Sequence, residues 1–214
     1  MDFTGKTVSV SVLGKDFALC NQRCPDWTHP YPWQGQGDLH DSGCGVFSLV
    51  HLARFWLDKD ILPETLADFS CRFGGRGDDG TDRPKLLAAM MEQGLAESLG
   101  FSYRMDGLRN DQDALAAHLK MGGAALCNLR PGHIVALAGI RERDGETQVL
   151  ALDSYCESAD LRVLPHVREI LPGSEITFPV VNAAGVLCGC ATAYGVYWAS
   201  ISPVRDFNLL YRLP

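Results

Sequence analysis

The chain has 214 residues and a formal net charge of −7, from 19 basic and 26 acidic side chains. That length suits one sizeable domain spanning residues 1–214, and its composition is that of an ordinary globular protein. The acidic balance argues against a general nucleic-acid or anionic-membrane binder, and no apolar run reaches the roughly 18 residues of a transmembrane helix. Met1-Asp2-Phe3-Thr4-Gly5-Lys6 has an acid and a glycine where a signal peptide has basic and then apolar residues, so a cytoplasmic protein is expected. The excess of acid favours a neutral or basic substrate.

Residues 7–12 alternate strictly (Thr, Val, Ser, Val, Ser, Val) and predict a strand with one wet face. Leu13 to Asp16 turn the chain, and Phe17-Ala18-Leu19 return as a hairpin partner. Residues 20–43 are rich in Pro, Gly, Trp and polar groups and read as a long irregular segment, a kind of loop that is often functional. Its Trp27, Tyr31 and Trp33 either line a substrate groove or pin the loop onto the core. A helix then starts around Cys44-Gly45, with Val46, Leu49, Val50, Ala53, Trp56 and Leu57 as its apolar face, and ends near Asp58. A second follows Pro63, and Gly74 to Gly80 reads as a polar loop. Thr81 or Asp82 caps a third helix, with Pro84 in its first turn and Gly94 at its end. A fourth covers about residues 111–120, stopped by Gly122-Gly123.

Strands dominate after Gly123: residues 124–129, a turn at Arg130-Pro131-Gly132, and a nearly continuous apolar strand over 133–140 that belongs at the centre of a sheet. Asp144-Gly145 marks a hairpin turn into a strand over 147–152. Further strands are expected at 175–181, 186–190, 196–200 and 209–211. No repeat, low-complexity tract or linker interrupts the chain.

The eight cysteines do not form a secreted disulfide pattern. Cys71 and Cys127 lie in apolar surroundings and read as core. Cys20-x3-Cys24 and Cys188-x-Cys190 could supply four zinc ligands, but the second spacing suits a zinc knuckle poorly, so free thiols are expected. Cys44 differs from the rest. At the start of a buried helix, free N–H groups and the positive end of the dipole favour a thiolate. Gly43 and Gly45 remove side chains on both sides of it, which would let a substrate backbone approach. A thiolate needs a base and an orienting group. His133 opens the apolar strand, and Asp153 closes the partner strand after the Asp144-Gly145 turn. Antiparallel pairing brings both to one end of the ladder, where a carboxylate can hold the imidazole in the tautomer that activates a thiol.

Gly43-Cys44-Gly45 opening an apolar helix resembles the nucleophile motif of papain-like cysteine peptidases, in particular the bacterial bacteriocin-processing (double-glycine) branch. Gly132-His133 followed by apolar residues to Gly139, and Leu150-Ala151-Leu152-Asp153, are similar to that branch's histidine and acid segments. So are Leu115 to Leu126 and Gly80-Thr81. The resemblance covers about residues 30–156 and leaves 157–214 as additional strands. It implies an α+β fold with an N-terminal helical half packed on a C-terminal antiparallel sheet, and the active site in the cleft between them. It implies a thiol hydrolase cleaving peptide or isopeptide bonds of a peptide or protein substrate, with Cys44, His133 and Asp153 as triad and no metal or organic cofactor. Val46 replaces the family's usual proline. Asp38 stands where the family often has an oxyanion-hole glutamine, and Gln36, or Gln34 beside it, is the candidate replacement. An amidase, an acyltransferase or transglutaminase-like enzyme, and an inactive peptide-binding module are the alternatives. Oligomeric state is left open.

Overall fold

The computed structural model describes residues 3–130, 132–157 and 166–214. Met1, Asp2, Pro131 of the expected turn and residues 158–165 lie outside the described residues. Strand β1 (Thr7–Val12) pairs with β2 (Lys15–Cys20) as the alternation requires, burying Val10, Val12, Phe17 and Leu19. Leu13 and Gly14 both take positive φ, the geometry of a tight hairpin turn that matches the twist of its strands.

Residues 20–43 are more ordered than their composition suggests. β3 (Pro30–Trp33) and β4 (Gln36–Asp38) form a two-stranded ribbon closed by Gln34 and Gly35, again both at positive φ, and α1 (Leu39–Ser42) follows. Trp27 and Tyr31 are core residues that pin this segment. The Trp27 indole donates to the Asn21 carbonyl at 2.7 Å, and the Tyr31 hydroxyl meets those of Ser70 and Thr81 at 2.9 Å. Trp33 stays 42% exposed.

Helix α2 (Cys44–Trp56) is buried around almost its whole circumference, with Arg54 alone of its residues only part-buried. Each of its fully buried large apolar side chains contributes roughly 1.5–3 kcal/mol. α3 (Pro63–Arg72) follows. The expected loop at 74–80 is tightened into a hairpin, β5 (Arg76–Gly77) and β6 (Gly80–Thr81), because the Arg76 guanidinium donates to the carbonyls of Tyr31, Gly77 and Gly80. Asp82 caps α4 (Arg83–Glu92), its carboxylate accepting from the Lys85 N–H at 3.2 Å. Gly94 lies just past the end of α4, as expected. At φ +74 it redirects the chain into α5 (Leu95–Leu99), then β7 (Phe101–Tyr103) and α6 (Gln112–Lys120).

The remaining strands are β8 (Ala124–Arg130), β9 (His133–Arg143), β10 (Glu146–Glu157), β11 (Val167–Ile170), β12 (Glu175–Val181), β13 (Leu187–Ser200) and β14 (Arg205–Arg212). With β7 they make an eight-stranded antiparallel sheet in the order β11-β13-β10-β9-β8-β14-β7, β12 pairing with β13 off this path. Two expected strands, at 186–190 and 196–200, are one. Gly195 marks a close approach rather than a break: a Cβ there would come within 1.9 Å of the Leu19 side chain. Cys71, expected in the core, is exposed.

Both faces of the sheet are covered, which explains the near-continuous apolar run in β9. Ile134, Ala136, Leu150 and Leu152 face the cluster containing α2, while Val135, Leu137, Val149 and Ala151 face Leu115 and Leu119 of α6. Among the described residues, no helix is long and apolar enough to cross a membrane.

His51 lies within α2 at 0% exposure, its Nε2 accepting from the Cys20 N–H at 2.9 Å. Burial, reinforced by the Arg54 charge, holds its pKa down at about 3. The unfolded chain takes up this proton below roughly pH 6.5 and the folded chain does not, so the stabilisation is complete above that pH and is lost as pH falls toward 3. Urea melts between about pH 6 and pH 4 should show wild-type stability falling more steeply than His51→Gln, by up to about 1.4 kcal/mol per pH unit.

Candidate active site

Gly43 caps α2, and Cys44 is the first residue of the helix, where N–H groups lack partners within the helix. The flanking glycines are packing requirements. A Cβ on Gly43 would lie 2.4 Å from the Leu39 carbonyl oxygen, and one on Gly45 would lie 2.5 Å from Cβ of Thr81. The space beside Gly45 therefore holds the β6 strand, not an approaching substrate backbone. Cys44 is 7% exposed and lines a cleft of ≈ 650 Å³ together with Thr81, Arg83, Asn128, Gly132 and Ile134.

His133 is the first residue of β9, and Asp153 lies within β10, which runs on to Glu157 instead of closing at Asp153. The β9–β10 register, offset by an irregularity between Val149 and Ala151, brings Leu152 opposite Ala136 and so carries both residues to the same end of the ladder. The His133 Nε2 to Asp153 Oδ1 distance is 2.6 Å, with both side chains buried. Asp153 also accepts from the Tyr155 N–H at 3.0 Å and from the Tyr197 hydroxyl at 2.8 Å. Nε2 is thus committed to the carboxylate, which leaves Nδ1 as the nitrogen for the sulfur. One turn along α2 from Cys44, the Ser48 hydroxyl donates to the Ile134 carbonyl at 3.0 Å, tying the helix to the strand that carries His133.

The electrostatics follow from this packing. Burial pushes the Cys44 thiol up, but the hydrogen bond and charge of His133, with the N–H groups of Ile134 and Gly45, outweigh it and bring the thiol below its ordinary value. Burial likewise pulls the His133 imidazole down, while the Asp153 charge and hydrogen bond, together with the thiol, raise it to about 9. The two shifts are coupled, and their direction favours a thiolate–imidazolium pair at neutral pH.

The structure brings Cys44, His133 and Asp153 into one connected network and does not bring Gln36 to it. Gln36 is exposed on the β3–β4 ribbon, paired with Trp33 across the tight turn, and is not among the residues lining the Cys44 cleft. Asp38 caps α1, accepting from the Asp41 N–H at 3.0 Å. The thiols considered for zinc do not converge. Cys20 is buried at the end of β2, its thiol pushed up to about 12 by burial, whereas Cys188 and Cys190 are exposed on β13. Comparisons with protein families, with curated proteins and with solved structures return no match.

Sequence reasoning missed Ser48, Tyr197, Asn128 and Arg83. Ser48 carries no signal beyond being a hydroxyl in an apolar helix, and Tyr197 lies 44 residues along the chain from the Asp153 carboxylate it donates to. Arg83 did carry one: a cation in the first turn of a helix opposes the dipole and calls for a reason.

Iodoacetamide labelling across about pH 4 to 9, resolved by mass spectrometry, should single out Cys44 well below the roughly 8.5 of an ordinary thiol, and His133→Ala should abolish that selectivity. Ser48→Ala should lower stability by about 1–3 kcal/mol through the buried carbonyl left without its donor. It should also move the acid limb of Cys44 labelling upward, a shift that loss of packing elsewhere in α2 would not produce.

Proposed function

We propose that this protein is a papain-like thiol hydrolase that cleaves peptide or isopeptide bonds through an acyl-enzyme. The observation that carries this reading is a thiol at the first position of a buried helix, beside an imidazole whose other nitrogen is held by a buried carboxylate. A buried His–Asp pair costs desolvation and is weak evidence of a purely structural role. Placed against a thiol at a cleft wall, it has a chemical use.

In the proposed reaction the Cys44 thiolate attacks the scissile carbonyl, and charge develops on the carbonyl oxygen near the start of α2. The Cys44 N–H is free of helical bonding and supplies one donor there. The His133 imidazolium gives its proton to the leaving amine, becomes a general base toward water, and the resulting hydroxyl attack releases the acid and regenerates the thiolate. Asp153 holds the ring throughout. The reaction asks nothing of Gln36.

The shape around the thiol supports an extended substrate. A second depression of ≈ 570 Å³, lined by Trp33, Arg76 and Lys85, shares Asp79, Thr81 and Asp82 with the Cys44 cleft, so the two lie on either side of the β5–β6 hairpin. A chain crossing that hairpin would contact both.

The test is covalent. Stopped-flow with p-nitrophenyl acetate should show a burst of one nitrophenolate per chain, with the acetyl group found on Cys44 by peptide mapping. His133→Ala should slow acylation by at least about a hundredfold, and Cys44→Ala should eliminate the burst. Acetylation spread over the exposed thiols, with Cys44 unmodified, would end the proposal.

A further inference from the structure

Arg83 is 5% exposed and sits in the wall of the Cys44 cleft, at the first position of α4. Nη1 donates to the Leu126 carbonyl of β8 at 3.0 Å, which anchors the guanidinium. Its other nitrogens donate to no acceptor among the described residues, and no carboxylate of the described residues lies within ion-pair distance. The adjacent Asp82 is already taken by the N–H and the ammonium group of Lys85. Burial lowers the Arg83 pKa, and the charges of Cys127, Asp206, Cys44 and Tyr103 oppose this. Arginine nevertheless stays protonated at any physiological pH.

A guanidinium that is nearly buried, has no ion partner among the described residues and stands at the positive end of a helix is costly on three counts. Its planar fork is built to receive an anion with two oxygens. The Asn128 carboxamide, half-buried on β8 opposite Ile134, lines the same cleft and adds a neutral donor. Asp79 also lines it but is exposed, so its field is screened by solvent in a way that of Arg83 is not.

We propose that Arg83 is a specificity-determining residue that binds a substrate carboxylate next to the acyl carbon attacked by Cys44. The protein then prefers substrates bearing a C-terminal carboxylate or an acidic side chain beside the scissile bond, despite its own net negative charge. This rests on the thiol hydrolase reading for the role of Cys44.

Alkylation of Cys44 by iodoacetate and by iodoacetamide tests it without knowledge of the natural substrate, since the reagents differ by a carboxylate. With glutathione as reference, wild type should favour iodoacetate. Arg83→Gln should lower the iodoacetate-to-iodoacetamide ratio about tenfold, and Arg83→Lys, which keeps the charge and loses the fork, should fall between them. The ratio also cancels any change in thiolate population. A ratio unmoved by Arg83→Gln overturns the proposal while leaving the activated thiolate intact. Cys44 labelling no faster than glutathione with either reagent on wild type overturns the hydrolase reading itself.

A second measurement uses wild type alone and so does not depend on the variants folding. Short alanine peptides should slow iodoacetamide labelling when they end in a free carboxylate and not when amidated, or when an amidated peptide carries Glu and not Gln. The first result assigns the carboxylate to a chain end, the second to a side chain. Equal protection by charged and neutral peptides refutes a carboxylate subsite.

Discussion

Burying the His133–Asp153 ion pair constrains everything built around it. A carboxylate at 1% exposure must be fully hydrogen-bonded or it takes up a proton, and Asp153 has an imidazole, a backbone N–H and a phenol hydroxyl as partners. They come from three strands: β9 carries His133, β10 carries Tyr155 and β13 carries Tyr197. The sheet must therefore hold β9, β10 and β13 side by side in one register, with Ala151 opposite both Leu137 and Tyr197. The C-terminal third is thus part of the architecture around the site, because it supplies the hydroxyl that the carboxylate needs.

The thiol is placed by a second set of contacts. α2 is buried around almost its whole length and cannot slide without opening the core, and the Ser48–Ile134 hydrogen bond ties its rotation to the strand bearing His133. At its start, α1 and the β6 hairpin press against Gly43 and Gly45 so closely that any side chain there would collide with them. Cys44 inherits its position from these neighbours. Its lowered pKa follows from that position, because at this depth the imidazole and the nearby N–H groups outweigh the cost of burial.

Net charge and the charge of a single buried group act differently here. The −7 total is spread largely over exposed side chains and is screened within about 8 Å at physiological salt. At the cleft wall the His133 imidazolium is already matched by the Asp153 carboxylate and the Cys44 thiolate, which leaves the Arg83 guanidinium as a buried cation with no ion partner among the described residues. A neutral or basic substrate is what the total suggests. The buried Arg83 guanidinium, where fields are least screened, is the group that favours an anion.

Local pattern sufficed wherever a residue's role depends on its near neighbours in the chain. The β1–β2 alternation, the cap at Asp82, the helix start at Cys44 and the central apolar strand at His133 are each settled by propensity, periodicity and burial over a few residues. The meeting of His133 with Asp153 was legible too, because a single tight hairpin connects their strands. The rest depended on contacts between distant segments. A strand closely crossing β2 decides that Gly195 continues β13, the ribbon turn at Gln34-Gly35 carries Gln36 away from the cleft, and β8 receives the Arg83 guanidinium. The sequence by itself determined which residues could do chemistry at the start of α2 and β9. Only the tertiary structure decided which of them share a cleft, because hydrogen bonding and burial between segments up to 173 residues apart, as between Thr4 and Thr177, leave no periodic trace in the chain.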